Sequence, residues 1–192
     1  VISESDLDDC LRPMLTKVME LSASARETLP VDLESNHAFA RYAAAKSAVL
    51  LRNDGTLPLR AKEKICVIGS FAQQPRYQGT GSSRVNAYRV DTLLEGLTEH
   101  GFDYHYEPGF PLTGEADERL LDQAIFAAND CDIILLALGL PESLESEGFD
   151  RESLSLPEIQ NKLVARASKL DKRIVVVLYG GGVMETPWID QV

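Results

Sequence analysis

The residues best suited to chemistry lie in an acidic segment between a strongly apolar run, 133–138, and an apolar-periodic helical stretch that begins near Pro157. The segment contains one basic residue, Arg151, and five acidic ones: Glu142, Glu145, Glu147, Asp150 and Glu152. A loop of this length within a compact α/β pattern is uncommon unless it is functional or disordered. Carboxylates beside an arginine suit acid chemistry or recognition of a polar substrate. The alternative is a solvated acidic loop, which composition alone favours.

The sequence around Glu147 resembles the acid/base loop of the family 3 glycoside hydrolases, whose pattern is Glu-Gly-aromatic-Asp-Arg followed by Leu-x-Leu-Pro-x-x-Gln. The matching residues here are Glu147, Gly148, Phe149, Asp150 and Arg151, then Leu154, Leu156, Pro157 and Gln160. Three further stretches resemble the family in the same order: 43–59 (AAAKSAVLLRNDGTLPL), 65–70 (ICVIGS) and 77–86 (YQGTGSSRVN). The resemblance therefore covers most of the chain from about residue 34 onward.

The resemblance implies that Glu147 is the general acid/base of a retaining β-glycosidase, similar to a β-glucosidase, that hydrolyses terminal non-reducing β-D-glycosyl residues. It also implies that Ser82, Ser83 and Arg84 hydrogen-bond sugar hydroxyls, although a flexible Gly/Ser loop is an equal alternative. An acid of this kind needs a raised pKa, which burial or a neighbouring negative charge supplies. Glu145 is such a neighbour in sequence and is also the rival assignment for the acid/base.

Asp150 and Arg151 follow Glu147 closely and are expected to support the loop rather than to contact the substrate. Because they are adjacent in sequence, they need not pair with each other. The Arg151 guanidinium can instead donate two parallel hydrogen bonds to a carboxylate elsewhere in the fold.

The second catalytic group of the family is missing from this sequence. A retaining pair of carboxylates lies roughly 5–5.5 Å apart across the scissile bond, and in the family the nucleophile is an Asp of a preceding barrel domain. The resemblance therefore implies a domain that supplies the acid/base loop and one wall of the sugar pocket. Its expected partners are a β-glucoside or oligosaccharide substrate and the barrel domain of the same parent chain. The isolated chain is expected to be inactive.

A competing interpretation is a noncatalytic, flavodoxin-like module that binds a phosphorylated or nucleotide ligand. Gly79 and Gly81 could cradle an anion, but the phosphate-loop pattern G-x-x-x-x-G-K-[ST] is absent. The glycines at 180–182 lack dinucleotide-binding spacing and predict a tight turn. A phosphate site also prefers basic groups and helix N-termini, whereas the segment around Glu147 is mostly negative. A noncatalytic interaction domain is a third possibility.

Composition argues against several other classes of function. The net charge of −11 disfavours a broad nucleic-acid interface and binding to anionic membranes. Three cysteines and three histidines lack the spacing of a zinc site, so no metal or cofactor is expected. No apolar run approaches about 18 residues, and no signal-peptide pattern occurs. A soluble protein is expected; the compartment stays open, with a cytoplasmic location preferred.

Strands and helices alternate along the chain that must position these residues. Helices are predicted at 5–25, 34–51, 91–100, 115–129 and 157–170, and strands at 65–69, 102–106, 132–138 and 173–179. Such βαβ units predict an open, mostly parallel, doubly wound sheet flanked by helices, a flavodoxin-like α/β sandwich with an N-terminal helical extension. Ligands of such sheets bind at the carboxyl ends of the strands, where the acidic segment begins.

The expected division of the chain lies between residues 33 and 34. By resemblance, 1–33 are the helix and linker that end a preceding barrel domain. Residues 34–192 are then the α/β sandwich, truncated at its C-terminus. Ser5 is predicted to cap the first helix, with Asp8 as its reciprocal partner.

Overall fold

The chain consists of two compact units, Val1–Ser47 and Ala48–Val192. The structure, a computed structural model, describes residues 2–24, 30–148 and 150–192. The second unit begins after the second helix. Residues 25–29, which include the predicted end of the first helix and the start of the predicted linker (28–32), lie outside the described residues.

The first unit contains two helices, α1 (Glu4–Ala23) and α2 (Leu33–Ser47). Ser3 caps α1: its hydroxyl accepts the Asp6 N–H at 3.2 Å, and the Asp6 carboxylate accepts the Ser3 N–H at 2.9 Å. The predicted capping pair, Ser5 and Asp8, is therefore wrong. The Ser3 box extends the helix by two residues, and each added residue contributes a backbone hydrogen bond once the helix is nucleated.

Four parallel strands form a single sheet in the second unit. They are β1 (Ile65–Ile68), β2 (Tyr104–Glu107), β3 (Ile133–Gly139) and β4 (Arg173–Tyr179). Their order is β2-β1-β3-β4, and all three pairings are parallel. Every residue of β1 and β3 is buried. These central strands are covered on both faces, which explains why their sequences are continuous apolar runs rather than alternating ones.

Three helices connect the strands: α3 (Leu93–Glu99), α4 (Glu118–Ala128) and α5 (Glu158–Ala167). The chain steps outward from β1 to β2, then reverses through β3 to β4. Because parallel crossovers are right-handed, this reversal places α3 on one face and α4 with α5 on the other. The predicted doubly wound α/β sandwich is confirmed.

Differences from the predicted elements occur at their ends. α4 begins at Glu118 because the Asp117 carboxylate caps it, accepting the N–H groups of Arg119 and Leu120 at 3.1 Å each. α2 ends at Ser47 rather than at 51; there the Ser47 hydroxyl donates to the carbonyl of Ala44 at 3.0 Å, a bond that competes with the helical ladder. β4 occupies the predicted residues.

Candidate active site

Three loops leave the carboxyl ends of the strands and together form the candidate site. They are the glycine loop after β1 (69–92), the acid loop after β3 (140–157) and the β4 loop (180–187). The sheet order reverses between β1 and β3, and open α/β sheets bind ligands beside such a reversal. The glycine loop and the acid loop therefore flank the position at which this fold usually holds a ligand.

Gln160 fixes the point where the acid loop leaves the sheet. Its side chain is fully buried, donates to the carbonyl of Gly139 and accepts from the Gly139 N–H, both at 2.9 Å. This paired bond satisfies the last peptide group of β3, which would otherwise be a costly buried polar group. The Gln of the family pattern thus serves as a support beneath the loop.

Glu147 lies on the exposed part of the acid loop and contacts the glycine loop. Its Oε2 accepts two hydrogen bonds from Ser82, from the backbone N–H at 2.7 Å and from the hydroxyl at 2.5 Å. The hydroxyl bond, and next the N–H bond, lower the pKa of Glu147 because both favour the charged carboxylate. The expectation of a raised pKa is therefore wrong for this arrangement, because the exposed carboxyl loses little hydration to oppose these bonds.

Gly81 permits the close approach of the two loops. Its φ is +90°, and a Cβ there would lie 2.6 Å from Oε2 and 2.8 Å from Cβ of Glu147. A side chain would be strained by the backbone angle and would also collide with the glutamate. In this arrangement the Glu147 carboxylate, bound by Ser82, lies against Gly81 of the glycine loop.

Glu145, the rival for the acid/base role, is bound on several sides. Both of its carboxylate oxygens accept the Gly181 N–H at 3.0 Å. Arg76 Nη2 lies 3.3 Å from Oε2 and 3.2 Å from the Glu145 carbonyl oxygen. The Thr80 hydroxyl donates to that same carbonyl at 3.2 Å. The Glu145 side chain is 24% exposed. Among the described residues, Glu145 contacts two other loops, the glycine loop and the β4 loop, whereas Glu147 contacts one, the glycine loop.

The other predicted site residues occupy different positions. Arg151 is partly buried, and its Nη2 donates to the carbonyl of Val183 in the β4 loop. Asp150 is exposed, and no hydrogen bond joins it to Arg151 in the part of the chain that is described. Ser83 and Arg84 are exposed in a turn closed by the Arg84 N–H and the Gly81 carbonyl at 3.1 Å. Only Ser82 of the three predicted sugar-binding residues is brought to Glu147.

Arg76 is the site residue that sequence reasoning missed. Its side chain is 9% exposed, yet it lies in a polar loop between Pro75 and Tyr77, where nothing local indicates burial. The signal that could have found it is the presence of arginines after β1 (Arg76, Arg84 and Arg89) together with an excess of carboxylates after β3. Using that signal requires the strand order.

Neither a metal-ligand cluster nor a membrane-spanning helix occurs in the described ranges 2–24, 30–148 and 150–192. No three His, Cys, Asp or Glu side chains there gather closely enough to hold a metal ion. No helix in those ranges is both long and apolar enough to cross a lipid bilayer.

Comparison with known proteins identifies the class that this fold and loop define. Residues 48–192 match the family model described as the glycosyl hydrolase family 3 C-terminal domain, and the match begins at the residue where the second compact unit begins. The α/β unit thus corresponds to the C-terminal domain of this family. The chain belongs to glycosyl hydrolase family 3.

Relatives within the family are glycoside hydrolases. The chain is 39% identical to the thermostable beta-glucosidase B of Acetivibrio thermocellus, over 100% of this chain and 26% of that protein. It is 37% identical to an exo-alpha-(1->6)-L-arabinopyranosidase of Bifidobacterium longum, over 98% of this chain and 27% of that protein. The crystal structure of the Bifidobacterium adolescentis GH3 beta-glucosidase superposes with a TM-score of 0.82 at 40% identity, covering 99% of this chain and 28% of that one. The chain spans about a quarter of the length of these relatives.

Proposed function

We propose that this chain carries the general acid/base of a retaining β-glycosidase of the β-glucosidase type, with Glu147 as that group. The enzyme would act on terminal non-reducing β-D-glycosyl residues. The nucleophile would be an Asp in a barrel domain of the parent protein, so the chain alone is expected to show no turnover.

The observation that carries the proposal is the exposed Glu147 carboxylate beside the sheet reversal. A general acid must reach the glycosidic oxygen, so its carboxyl has to face solvent or substrate. Glu147 meets that requirement. Glu145 does not, because its oxygens are already bound to Gly181 and Arg76.

The mechanism assigned to Glu147 has two steps. In the first, the Glu147 carboxyl gives its proton to the glycosidic oxygen while the Asp carboxylate attacks the anomeric carbon; the bond to the leaving group breaks and a glycosyl ester forms. In the second, the Glu147 carboxylate takes a proton from water as the water oxygen attacks the same carbon and releases the Asp. One group thus serves first as an acid and then as a base.

The hydrogen bonds from Ser82 suit the second step better than the first. They favour the charged carboxylate, which is the base. A sugar hydroxyl that takes the Ser82 hydroxyl as its own partner would remove the largest cause of the lowered pKa. Substrate binding would therefore favour the protonated acid that the first step needs, which gives Ser82 a role both in binding and in setting the pKa.

The test is Glu147→Gln in the full-length parent protein, assayed with an alkyl and a dinitrophenyl β-glucoside. General acid–base catalysis contributes about 10²–10⁴-fold, so kcat/KM for the alkyl glucoside should fall by that factor. The dinitrophenyl group leaves without a proton, so its first step should change little. Added azide should restore turnover of the dinitrophenyl glucoside and yield a β-glycosyl azide, because azide attacks the glycosyl ester without a general base.

Glu152→Gln is the matched control, because it removes an exposed charge from the same loop. It should leave both rates and the azide response unchanged. If Glu147→Gln slows both glucosides equally and azide has no effect, the acid/base lies elsewhere. The sugar is tested separately: an aryl β-D-glucoside should be cleaved faster than an aryl α-L-arabinopyranoside, and the reverse order would overturn the glucosidase assignment.

A further inference from the structure

Arg76 is a nearly buried cation beside the proposed acid/base and has no assigned role. Its side chain is 9% exposed, and Nη2 contacts both the carbonyl and the carboxylate of Glu145. Nε and Nη1 are buried and meet no acceptor among the residues that the structure describes. Burying a charge is costly unless it is paired and hydrogen-bonded, so the partly satisfied Arg76 guanidinium adds little stability by itself.

Arg76, Thr80, Glu145 and Gly181 form a group that we call the clasp. The glycine loop supplies Arg76 and Thr80, the acid loop supplies Glu145, and the β4 loop supplies the Gly181 N–H. The clasp therefore joins the loops that follow β1, β3 and β4. The clasp binds both the backbone carbonyl and the side-chain carboxylate of Glu145. These contacts fix the path of the main chain at residue 145.

A second set of contacts holds the acid loop beyond Glu147. Arg151 Nη2 donates to the Val183 carbonyl, and the Ser155 hydroxyl donates to the Glu185 carboxylate at 2.6 Å. The Glu185 N–H also donates to the carbonyl of Leu154 at 3.0 Å. The acid loop is thus anchored at 145 and again from 151, and residue 147 lies on the short stretch between the two anchors.

We infer that Arg76 is a positioning residue for the general acid/base, holding the stretch that carries Glu147 through its contacts with Glu145. The inference rests on the proposed role of Glu147. Proton transfer requires heavy atoms about 2.6–3.2 Å apart, and a misplacement of about 1 Å can cost ~10²-fold in rate. Because Arg76 holds residue 145, the loss of Arg76 shifts Glu147 relative to the glycosidic oxygen. The Glu147 carboxyl group itself is still present.

The experiment compares leaving groups in the full-length parent protein. Arg76→Met should lower kcat/KM for an alkyl β-glucoside by ~10–10²-fold, the cost of a misplaced proton donor. The dinitrophenyl β-glucoside, which needs no proton, should be affected by less than about threefold. Arg76→Lys keeps the charge on a shorter side chain, so its effect on the alkyl substrate should fall between wild type and Arg76→Met. A merely structural role would slow both substrates together.

Two further variants complete the design. Arg166→Met breaks the ion pair with Asp122, 2.6 Å long, between α5 and α4, and should change neither substrate. Thr80→Val removes one hydrogen bond from the clasp without exposing a buried charge. Thr80→Val should also slow the alkyl glucoside more than the dinitrophenyl glucoside, but by a smaller factor than Arg76→Met. If Arg76→Met does not fold, Thr80→Val is the variant that tests the inference.

The outcomes separate this inference from the proposed function. If Glu147→Gln shows leaving-group dependence and neither Arg76→Met nor Thr80→Val does, the positioning role is wrong and the acid/base assignment stands. If Glu147→Gln itself lacks that dependence, both fail together. If the clasp variants lose kcat/KM equally on both substrates, and active-site titration shows a smaller fraction of functional enzyme, the clasp only maintains the fold.

Discussion

The anchored part of the acid loop and its exposed stretch differ sharply, although Glu145 and Glu147 are two residues apart. Glu145 is 24% exposed and is held by Arg76, Thr80 and Gly181. Glu147 is exposed, and among the described residues its carboxylate accepts hydrogen bonds from Ser82 only. Both carboxylates accept backbone N–H groups, but one also neutralises a buried guanidinium and the other does not.

This difference teaches that a pair of neighbouring carboxylates can divide structural and chemical work between them. A carboxylate surrounded by fixed donors is poorly suited to gaining and losing a proton in each cycle, because its charged form is required where it is. A carboxylate with one exchangeable partner keeps that freedom. Three substitutions in this chain test the contrast between Glu145 and Glu147, and their expected effects decrease from Glu145→Ala to Ser82→Ala.

Glu145→Ala should give the largest change in stability. Removing the carboxylate leaves Arg76 buried without its charge partner and the Gly181 N–H without its acceptor. Breaking a largely buried, hydrogen-bonded pair in this way should cost about 2–4 kcal/mol of unfolding free energy. Equilibrium urea denaturation of the α/β unit measures it. Glu147→Ala is the matched substitution, and its urea midpoint should fall much less, because it removes only the exposed bonds from Ser82. Equal midpoints for the two variants would abolish the contrast.

Gly81→Ala should give an intermediate change, with Gly148→Ala as its control. The two glycines have nearly the same φ, +90° and +95°, but a Cβ at Gly81 would meet Glu147 while one at Gly148 would meet nothing within 4 Å. Both variants should lose about 1–2 kcal/mol from the left-handed backbone. Gly81→Ala should lose more, since it also separates the two loops. Thermal unfolding of the pair gives the comparison, and equal losses would mean that the loop contact contributes nothing.

Ser82→Ala should give the smallest effect, and that effect should depend on pH. Because the Ser82 hydroxyl is the largest cause of the lowered pKa of Glu147, its removal should raise that pKa toward the ordinary value. A carboxyl with a lowered native pKa stabilises the fold above its unfolded-state pKa, and this contribution is lost as the pH falls through the native pKa. The stability difference between wild type and Ser82→Ala should therefore be largest near neutrality and vanish in acid.

Carbon-13 NMR titration of the Glu147 carboxyl, assigned with Glu147→Gln, measures this pKa directly. Ser82→Thr retains a hydroxyl and should keep the pKa close to wild type. A Glu147 pKa that is identical in wild type and Ser82→Ala would contradict the described contact.

Much of the fold follows from local sequence pattern. The Ile-Val run of β4 marks its residues, and the uninterrupted apolar runs of β1 and β3 indicate strands covered on both faces. Helix starts were predicted less well. Thr92 caps α3, accepting the Glu95 N–H, and Asp117 caps α4. Several polar residues near each start compete for the cap position, and backbone geometry chooses among them.

The sequence by itself determined the fold class, the family and the loop that carries the acid candidates, because these follow from residue patterns within short stretches. Only the tertiary structure decided which glutamate is tied down, why Arg76 is buried and what lowers the pKa of Glu147. The contacts responsible are between residues that are far apart in sequence: Ser82 and Glu147 are separated by 65 positions, and Arg76 and Glu145 by 69. Local sequence patterns do not register such contacts. They form because the sheet places β1 beside β3, so the loops after these strands meet at one edge.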